Sequence, residues 1–318
     1  MWENGPGRYQ QDSTVIVSVV VLSYDSRADL ERCLLSLTGQ QRPADQVLVV
    51  DNGSRDGSAA MVAACFPQFE RLELGENLGY CRANNLALAR CRGEAILFLN
   101  ADVELAPDFL AQALVPFERD PKVGLVCAKL LRDDRRTLDS TGQYWARDRR
   151  VGERGYGQPD RGQFERPEPV PSCCGAAAFY RRAMIESIAP GGELFDEEFF
   201  AFFEDLDVGL RAARAGWSAV YWPRAVAYHR RGGTQSGRPR FQLLGRPPEI
   251  RYHILKNRYL LLIKHGAAGA LLRDLPFILA TEAALWAALL LTSPRVLWRL
   301  LSDPSPLRRA WARRRGAA

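Results

Sequence analysis

The chain has 318 residues, 47% of them apolar and 25% charged, with a net charge of +6. That balance excludes a disordered chain and leaves room for one large domain, or one domain with an appendage. The seven cysteines are odd in number, scattered and form no CxxC pair, which argues against a disulfide framework or zinc site and for a reducing compartment.

Residues 1–13 are polar, lack an apolar run and are expected to be disordered, with no signal peptide. Val15 to Leu22 is a β-branched run that predicts a buried first strand, with Ser23-Tyr24-Asp25-Ser26 as its exit loop. Leu30, Cys33, Leu34 and Leu37 follow at helical spacing. A second strand is expected over 47–50, ending at Asp51-Asn52-Gly53-Ser54. A helix near 58–65, a third strand near 69–74 and a helix over 81–91 come next. Ala95 to Leu99 is too short for a helix and fits a strand buried on both faces. It runs into Asn100-Ala101-Asp102. A helix over 107–119 and a fifth strand over 123–128 complete the first half.

This alternation implies βαβ units around a mostly parallel sheet. No GxGxxG follows the first strand, so the usual dinucleotide site is not expected. No Gly-rich basic loop stands there either, against a P-loop NTPase or a nucleotidyltransferase. Ligands of open α/β sheets bind beyond the carboxyl ends of the strands. Asp102 stands there as a hard oxygen ligand for Mg²⁺ or Mn²⁺. The same residues also read as ordinary turn formers, and both readings stand at this point.

Residues 132–168 are rich in Arg, Asp, Gly and Pro, and form either a solvated hairpin or a flap over the sheet. Pro171 to Arg181 returns as a small-residue strand. Cys173-Cys174 reads as two small buried residues. The segment Phe195 to Asp207 is the most acidic of the chain and is interleaved with phenylalanines. Leu206, Leu210, Ala213 and Trp217 give it helical spacing, with Glu204-Asp205 at the helix start and Asp207 as a structural residue. Trp217 is expected in the core. A strand over 219–222 precedes His229, one of three histidines in the chain and just ahead of Gly232-Gly233.

Residues 247–265 predict a helix. From Leu275 to Thr292 the chain is largely apolar, broken by Pro276 and Glu282, and an arginine-rich end follows. This reads as an interfacial helix on anionic lipid, or as a helical subdomain packed on the core.

The motifs Val-x-Val-Val-Val-Leu-Ser-Tyr, Asp51-Asn-Gly-Ser-x-Asp-Gly-Ser, Asn77-Leu-Gly-Tyr-x-x-x-Asn-Asn, Phe-Leu-Asn100-Ala-Asp102, Gly175-Ala176, Phe-Phe-x-Phe-Phe-Glu204-Asp205-x-Asp and His229-x-x-Gly-Gly stand in this order. Together they resemble family 2 glycosyltransferases of the GT-A fold, and most of all the rhamnosyltransferase-like branch. The resemblance covers about residues 15–265. It implies a GT-A catalytic domain over 14–240, with a nucleotide-sugar-binding half (14–128) and an acceptor-binding, catalytic half (129–240). Residues 241–318 would be a C-terminal helical extension that associates with a membrane.

The resemblance also implies roles. Ser23 and Tyr24 would line the base pocket, and Asp51 would accept from the ring N3–H of uracil or thymine, favouring UDP- or dTDP-sugar donors. Asn77, Gly79 and Asn85 would lie along ribose and diphosphate. Asn100-Ala101-Asp102 stands where the family has its Asp-x-Asp motif, with Asn100 in place of the first Asp. Asp102 and His229 would hold the Mg²⁺ or Mn²⁺, weakly until a diphosphate arrives. Gly175 and Ala176 would wall the sugar pocket, Asp205 would be the catalytic base and Glu204 would contact the acceptor.

The expected activity is inverting transfer, with rhamnose as one sugar of the branch, to a glycan or lipid-linked glycan acceptor. It would take place in the cytoplasm, at the inner face of the cell membrane. Self-association as a homodimer is left open. A processive synthase is disfavoured by the lack of several spanning segments and of a QxxRW-like motif. The competing reading is a non-catalytic nucleotide-sugar-binding or membrane-surface scaffold protein, which would be expected to have lost Asp205 or Asp102. A nucleic-acid partner is not expected, because the surplus arginines are confined to one end.

Overall fold

The computed structural model describes residues 15–231, 243 and 245–316. The expected disordered segment 1–13, the boundary at 240/241 and the Gly232-Gly233 turn lie outside the described residues. The first half runs β1 (Val17–Ser23), α1 (Arg27–Thr38), β2 (Gln46–Asp51), α2 (Ser58–Cys65), β3 (Glu70–Glu73), α3 (Gly79–Leu88) and β4 (Ala95–Asn100). These strands are parallel and lie in the order β3-β2-β1-β4.

The reason is visible in β1 and β4. Val19, Val21, Leu97 and Leu99 enter the core cluster shared with α1 and α2, while Val20, Ile96 and Phe98 enter the one on the other face, shared with α3. Successive strand residues point to opposite faces, so only an unbroken apolar run can fill both.

The chain continues through β5 (Val103–Leu105), α4 (Phe109–Arg119) and β6 (Val123–Arg132). The insertion then forms β7 (Leu138–Ser140), a hairpin of β8 (Gln143–Trp145) and β9 (Val151–Glu153), and β10 (Glu168–Pro169). It is therefore an ordered part of the fold rather than a mobile loop. β11 (Ala177–Arg181) and α5 (Arg182–Ile188) precede a single 3-10 turn at Glu197–Phe199, then α6 (Glu204–Arg214) and β12 (Ser218–His229). Four helices follow: α7 (Pro248–His265), α8 (Ala268–Thr292), α9 (Pro294–Ser302) and α10 (Ser305–Gly316).

The full sheet runs β10-β12-β6-β11-β4-β1-β2-β3, with β5 on β12 and β7 on β6. β11 slots antiparallel between β4 and β6, while β6 and β12 are parallel, so the sheet is mixed.

Two strands depart from the sequence expectation, and both shape the site. β5 went unseen because three residues between two turns carry no period. β12 was expected to end at Trp222, since Pro223 cannot donate to a ladder. Instead the register with β6 shifts between Trp222 and Val226, and the bulge takes in the proline. The strand then continues to His229, pairing antiparallel with β5 so that His229 faces Val103.

Candidate active site

The parallel strands deliver the first group of side chains at one edge. Ser23 is in register with Asp51, and Leu22 with Asn100. Ser23 is buried, its hydroxyl 3.0 Å from that of Ser26, and Tyr24 beyond it is exposed. The Asp51 Oδ2 accepts from the Ser54 N–H at 3.2 Å, while its Oδ1 is buried with no hydrogen-bond partner in the structure. An acceptor left without a donor carries a desolvation cost that a ligand N–H removes.

Asn77 organises the next loop. Its Oδ1 accepts from the Gly79 N–H at 2.9 Å and from the Asn52 amide at 3.1 Å. Two of the expected donor contacts have other work. Asn85 gives both ends of its amide to the backbone of Phe195, at 2.7 and 3.0 Å, which fixes it as a strut. Gly79 has φ +79°, and a Cβ there would lie 2.5 Å from the Phe200 ring. Its missing side chain thus leaves room for the Phe200 ring.

The second corner is Asp102 and His229. The β5–β12 pairing brings the Asp102 Oδ1 to 3.4 Å from His229 Nε2. On the other side of the ring Nδ1 lies 2.8 Å from Asp139 Oδ2, and the Arg231 guanidinium holds the second oxygen of that buried carboxylate. Burial opposes the imidazolium, but Asp102 and Asp139 together lift its pKa to about 9. The carboxylate on Nδ1 orients the ring with Nε2 toward Asp102; a cation bound there would replace the Nε2 proton and complete a carboxylate–histidine–metal arrangement. One carboxylate and one imidazole suit a divalent cation whose remaining positions are filled by phosphate and water. Asn100 is half-buried, with its N–H on the Ala176 carbonyl at 2.9 Å, and Ala101 donates to Leu22 at 3.2 Å.

The third corner is Glu204-Asp205 at the start of α6. Both are buried. Asp205 Oδ2 accepts from the Gly175 N–H and the Gln143 amide, both at 2.8 Å, and Oδ1 from the Leu206 N–H at 2.8 Å. The Gln143 amide nitrogen also reaches Glu153 Oε1 at 3.0 Å. Burial raises the Asp205 carboxyl, and these donors pull it back. Glu204 is raised well above the usual carboxylate range by burial and by Asp205, and its Oε2 has no partner. Both adjacent carboxyls are pushed up by burial, and the hydrogen bonds favour the charged form at Asp205 over Glu204. Loss of water, with Asp205 nearby, pushes Glu153 up to about 7. Gly175 is needed here, because even a methyl would lie 3.2 Å from Asp205 Oδ2. Buried Ala176 continues that wall.

The loop before Asp205 is strained. Phe200, Phe202 and Phe203 all have positive φ (65°, 74° and 71°), each costing about 1–3 kcal/mol for a bulky residue. α7 holds them there. The Asn257 amide nitrogen lies 3.0, 2.7 and 2.7 Å from the carbonyls of Phe199, Ala201 and Phe202. Its neighbour His253 stacks on Phe200 at 4.6 Å. Asp207, also buried, is gripped by Lys264 at 2.8 Å, His265 at 2.7 Å and Arg211 at 2.8 Å. It is structural, as expected, but as the anchor of α7 rather than as a helix cap.

The sequence reading therefore missed Asp139, Gln143, Glu153 and Asn257. The first three lie in the arginine-rich insertion. The one signal was Leu138 to Trp145, a run inside it that contains no arginine.

A mixed α/β sheet with this strand-end edge and a paired acidic corner defines a sugar-transferring enzyme of the GT-A fold. The chain belongs to glycosyl transferase family 2, whose profile matches residues 18–189, and it is a glycosyltransferase of the rhamnosyltransferase-like branch. An N-acetylglucosaminyl-diphospho-decaprenol L-rhamnosyltransferase of Mycobacterium tuberculosis is 30% identical over 274 residues, covering 77% of this chain and 86% of that protein. Among solved structures, TarS 1–349 of S. aureus in complex with UDP-GlcNAc has a TM-score of 0.55 and 19% identity, covering 83% of this chain and 70% of that one. GalNAc-T7 with UDP, GalNAc and Mn²⁺ has a TM-score of 0.57 and 13% identity, and covers 79% of this chain and 51% of that one. These two similarities speak to the fold.

Proposed function

We propose that this glycosyltransferase moves a sugar, with inversion, from a UDP- or dTDP-sugar to a hydroxyl of a lipid-linked diphospho-sugar, at the inner face of the cell membrane. The observation that carries the reading is Asp205, a buried carboxyl oriented by three donors beside the buried Glu204. The acceptor hydroxyl attacks the anomeric carbon, its proton passes to Asp205, and the bond to the nucleoside diphosphate breaks with the electron pair on phosphate oxygen. Gln143 and the Gly175 N–H hold the base so that its proton-accepting oxygen does not rotate away. A divalent cation, Mg²⁺ or Mn²⁺, held by Asp102 and His229 would neutralise the leaving diphosphate.

The lone Asp51 Oδ1 supports a pyrimidine base, whose ring N3–H it would accept. The relative in M. tuberculosis supports rhamnose as the sugar and a lipid diphosphate on the acceptor. No specific observation favours the non-catalytic reading, since Asp205 and Asp102 are both present.

Asp205→Asn is expected to keep donor binding, read as a thermal shift with UDP- or dTDP-sugar, and to lose transfer by about 10²–10⁴-fold. Near-normal turnover would overturn the assignment. Stabilisation by a GDP-sugar alone would remove the role given to Asp51.

A further inference from the structure

α8 is the one helix among the described residues long and apolar enough to cross a membrane. Its 25 residues span about 37 Å at the α-helical rise. Its two acids, however, are turned onto the protein. Asp274 is 1% exposed and lies against the tip of the β8–β9 hairpin. Glu282 is held by Arg258 and Tyr259 of α7, both at 2.6 Å. Thr281 adds a bond to Asp148 at 3.3 Å. These latches lie two turns apart and lay the helix along the domain. Leu272, Leu279 and Leu290, 57–70% exposed, share one face of the helix as a stripe, opposite Asp274 and Thr281.

At the head of that stripe the charges do not balance. Three guanidiniums converge on the single Asp274 carboxylate. Arg147 Nε is 3.0 Å from Oδ1, Arg149 Nη2 is 2.8 Å from Oδ2, and Arg273 reaches both oxygens at 3.2 and 3.1 Å. One carboxylate neutralises one of them. Arg149 is turned inward, but Arg147 and Arg273 have side chains 60% and 70% exposed. Arg147 also lies over the Phe277 ring at 4.2 Å. The carboxylate and the ring order these forks before any ligand arrives, and planar guanidinium forks match phosphate oxygens.

The same hairpin reaches the base. Gln143, on Asp205, is four residues from Arg147, at most about 14 Å of chain. A sugar whose hydroxyl meets Asp205, carrying a diphosphate and then a lipid, fits that order.

We infer that Arg147 and Arg273 seat the diphosphate of the lipid-linked acceptor, while the outward stripe of α8 lies in the plane of the bilayer that holds the lipid. The inference rests on the acceptor class proposed above and adds the residues that read it. A bilayer covers the leucines, which water would otherwise have to solvate, and the two surplus cations meet two phosphate charges.

The test is flotation of the full chain on phosphatidylcholine vesicles carrying either a polyprenyl diphosphate or phosphatidylglycerol at the same surface charge. Arg147→Gln with Arg273→Gln leaves Arg149 on Asp274, and a donor-induced thermal shift checks that this variant is folded. Its affinity for diphosphate vesicles is expected to fall by about tenfold or more, the loss of charge-assisted forks on phosphate oxygens, and far less for phosphatidylglycerol at the same surface charge. Leu279→Glu is expected to lose both kinds of vesicle. Wild-type binding of the double variant to diphosphate vesicles would overturn the inference, as would an equal loss on both lipids, which marks general attraction. Leu279→Glu bound as tightly as wild type would overturn the placement of α8. If the wild type binds diphosphate vesicles but transfers to no lipid-linked acceptor, the proposed function fails and the seat stands.

Discussion

His229 stands between two carboxylates that do different jobs. Asp102 lies against Nε2 and Asp139 holds the far nitrogen, itself tied to Arg231. Outer-shell partners of this kind are worth about 10–100-fold in metal affinity. Asp139→Asn is therefore expected to weaken Mn²⁺ binding by about that factor, measured by calorimetry with UDP present and no acceptor. Unchanged affinity would leave Asp139 with a packing role only. Asp102 and His229 were singled out in the sequence by the motifs they stand in, Asp102 after an apolar run and His229 ahead of Gly232-Gly233, although the strand that carries His229 was expected to stop at Trp222. Asp139 was not, because it sits in β7, three residues whose pairing with β6 no local pattern announces. Asn85 and Gly79 show the converse. Their motif was plain, but which neighbour uses an amide or an empty Cβ position is a fact of packing.

α7 is the element whose importance the sequence concealed. Its apolar and basic positions read as the start of an appendage, yet Asn257, His253, Lys264 and His265 all reach the catalytic loop or its helix. The pattern of a helix says which residues are apolar, not which buried acid a lysine will meet. The α6–α7 latch has an acid signature. Burial opposes the Asp207 charge, but Lys264, Arg211 and His265 outweigh it and hold the carboxyl well below its usual range. A depressed folded pKa means stability that is present above the unfolded value of about 3.9 and lost as pH falls through the folded one. Asp207→Asn should therefore lower the melting temperature at pH 7, where it breaks a buried ion pair worth about 3–5 kcal/mol to disrupt. It should also flatten the loss of stability below about pH 4. A melting curve against pH reads both, and an unchanged acid slope would place the acid sensitivity elsewhere.

For the whole molecule, the alternation of strands and helices gave the parallel half directly, down to α2 at 58–65. The second half was harder because its strands are joined across long distances. β12 reaches past its proline to β5, and β11 enters antiparallel between β4 and β6. Such pairings depend on residues far apart in the chain and leave no period behind. The same non-local economy ties α7, beyond the last motif, to Asp207 and the loop before Asp205. A chain ended just before Pro248 is expected to lose its single thermal transition, because Asp207 stays buried without Lys264 and His265. Near-ultraviolet circular dichroism during heating would show this, and a sharp transition in that shortened chain would mean α7 is dispensable to the core.

The bond from Asn257 to Phe199 spans 58 residues. Synthesis proceeds at about 5–20 residues per second, so the strained phenylalanines wait on the order of 3–12 seconds for the amide that holds them. During that interval the nascent chain can already shape the strands that carry Asp51 and Asp102, but not the turn that aims Asp205. The next segment to leave the ribosome after α7 is α8, which carries the exposed leucines. On the proposed function, the carboxylate would be aimed only as the helix proposed to meet the bilayer is made, so activity and membrane arrival would fall in the same stretch of translation.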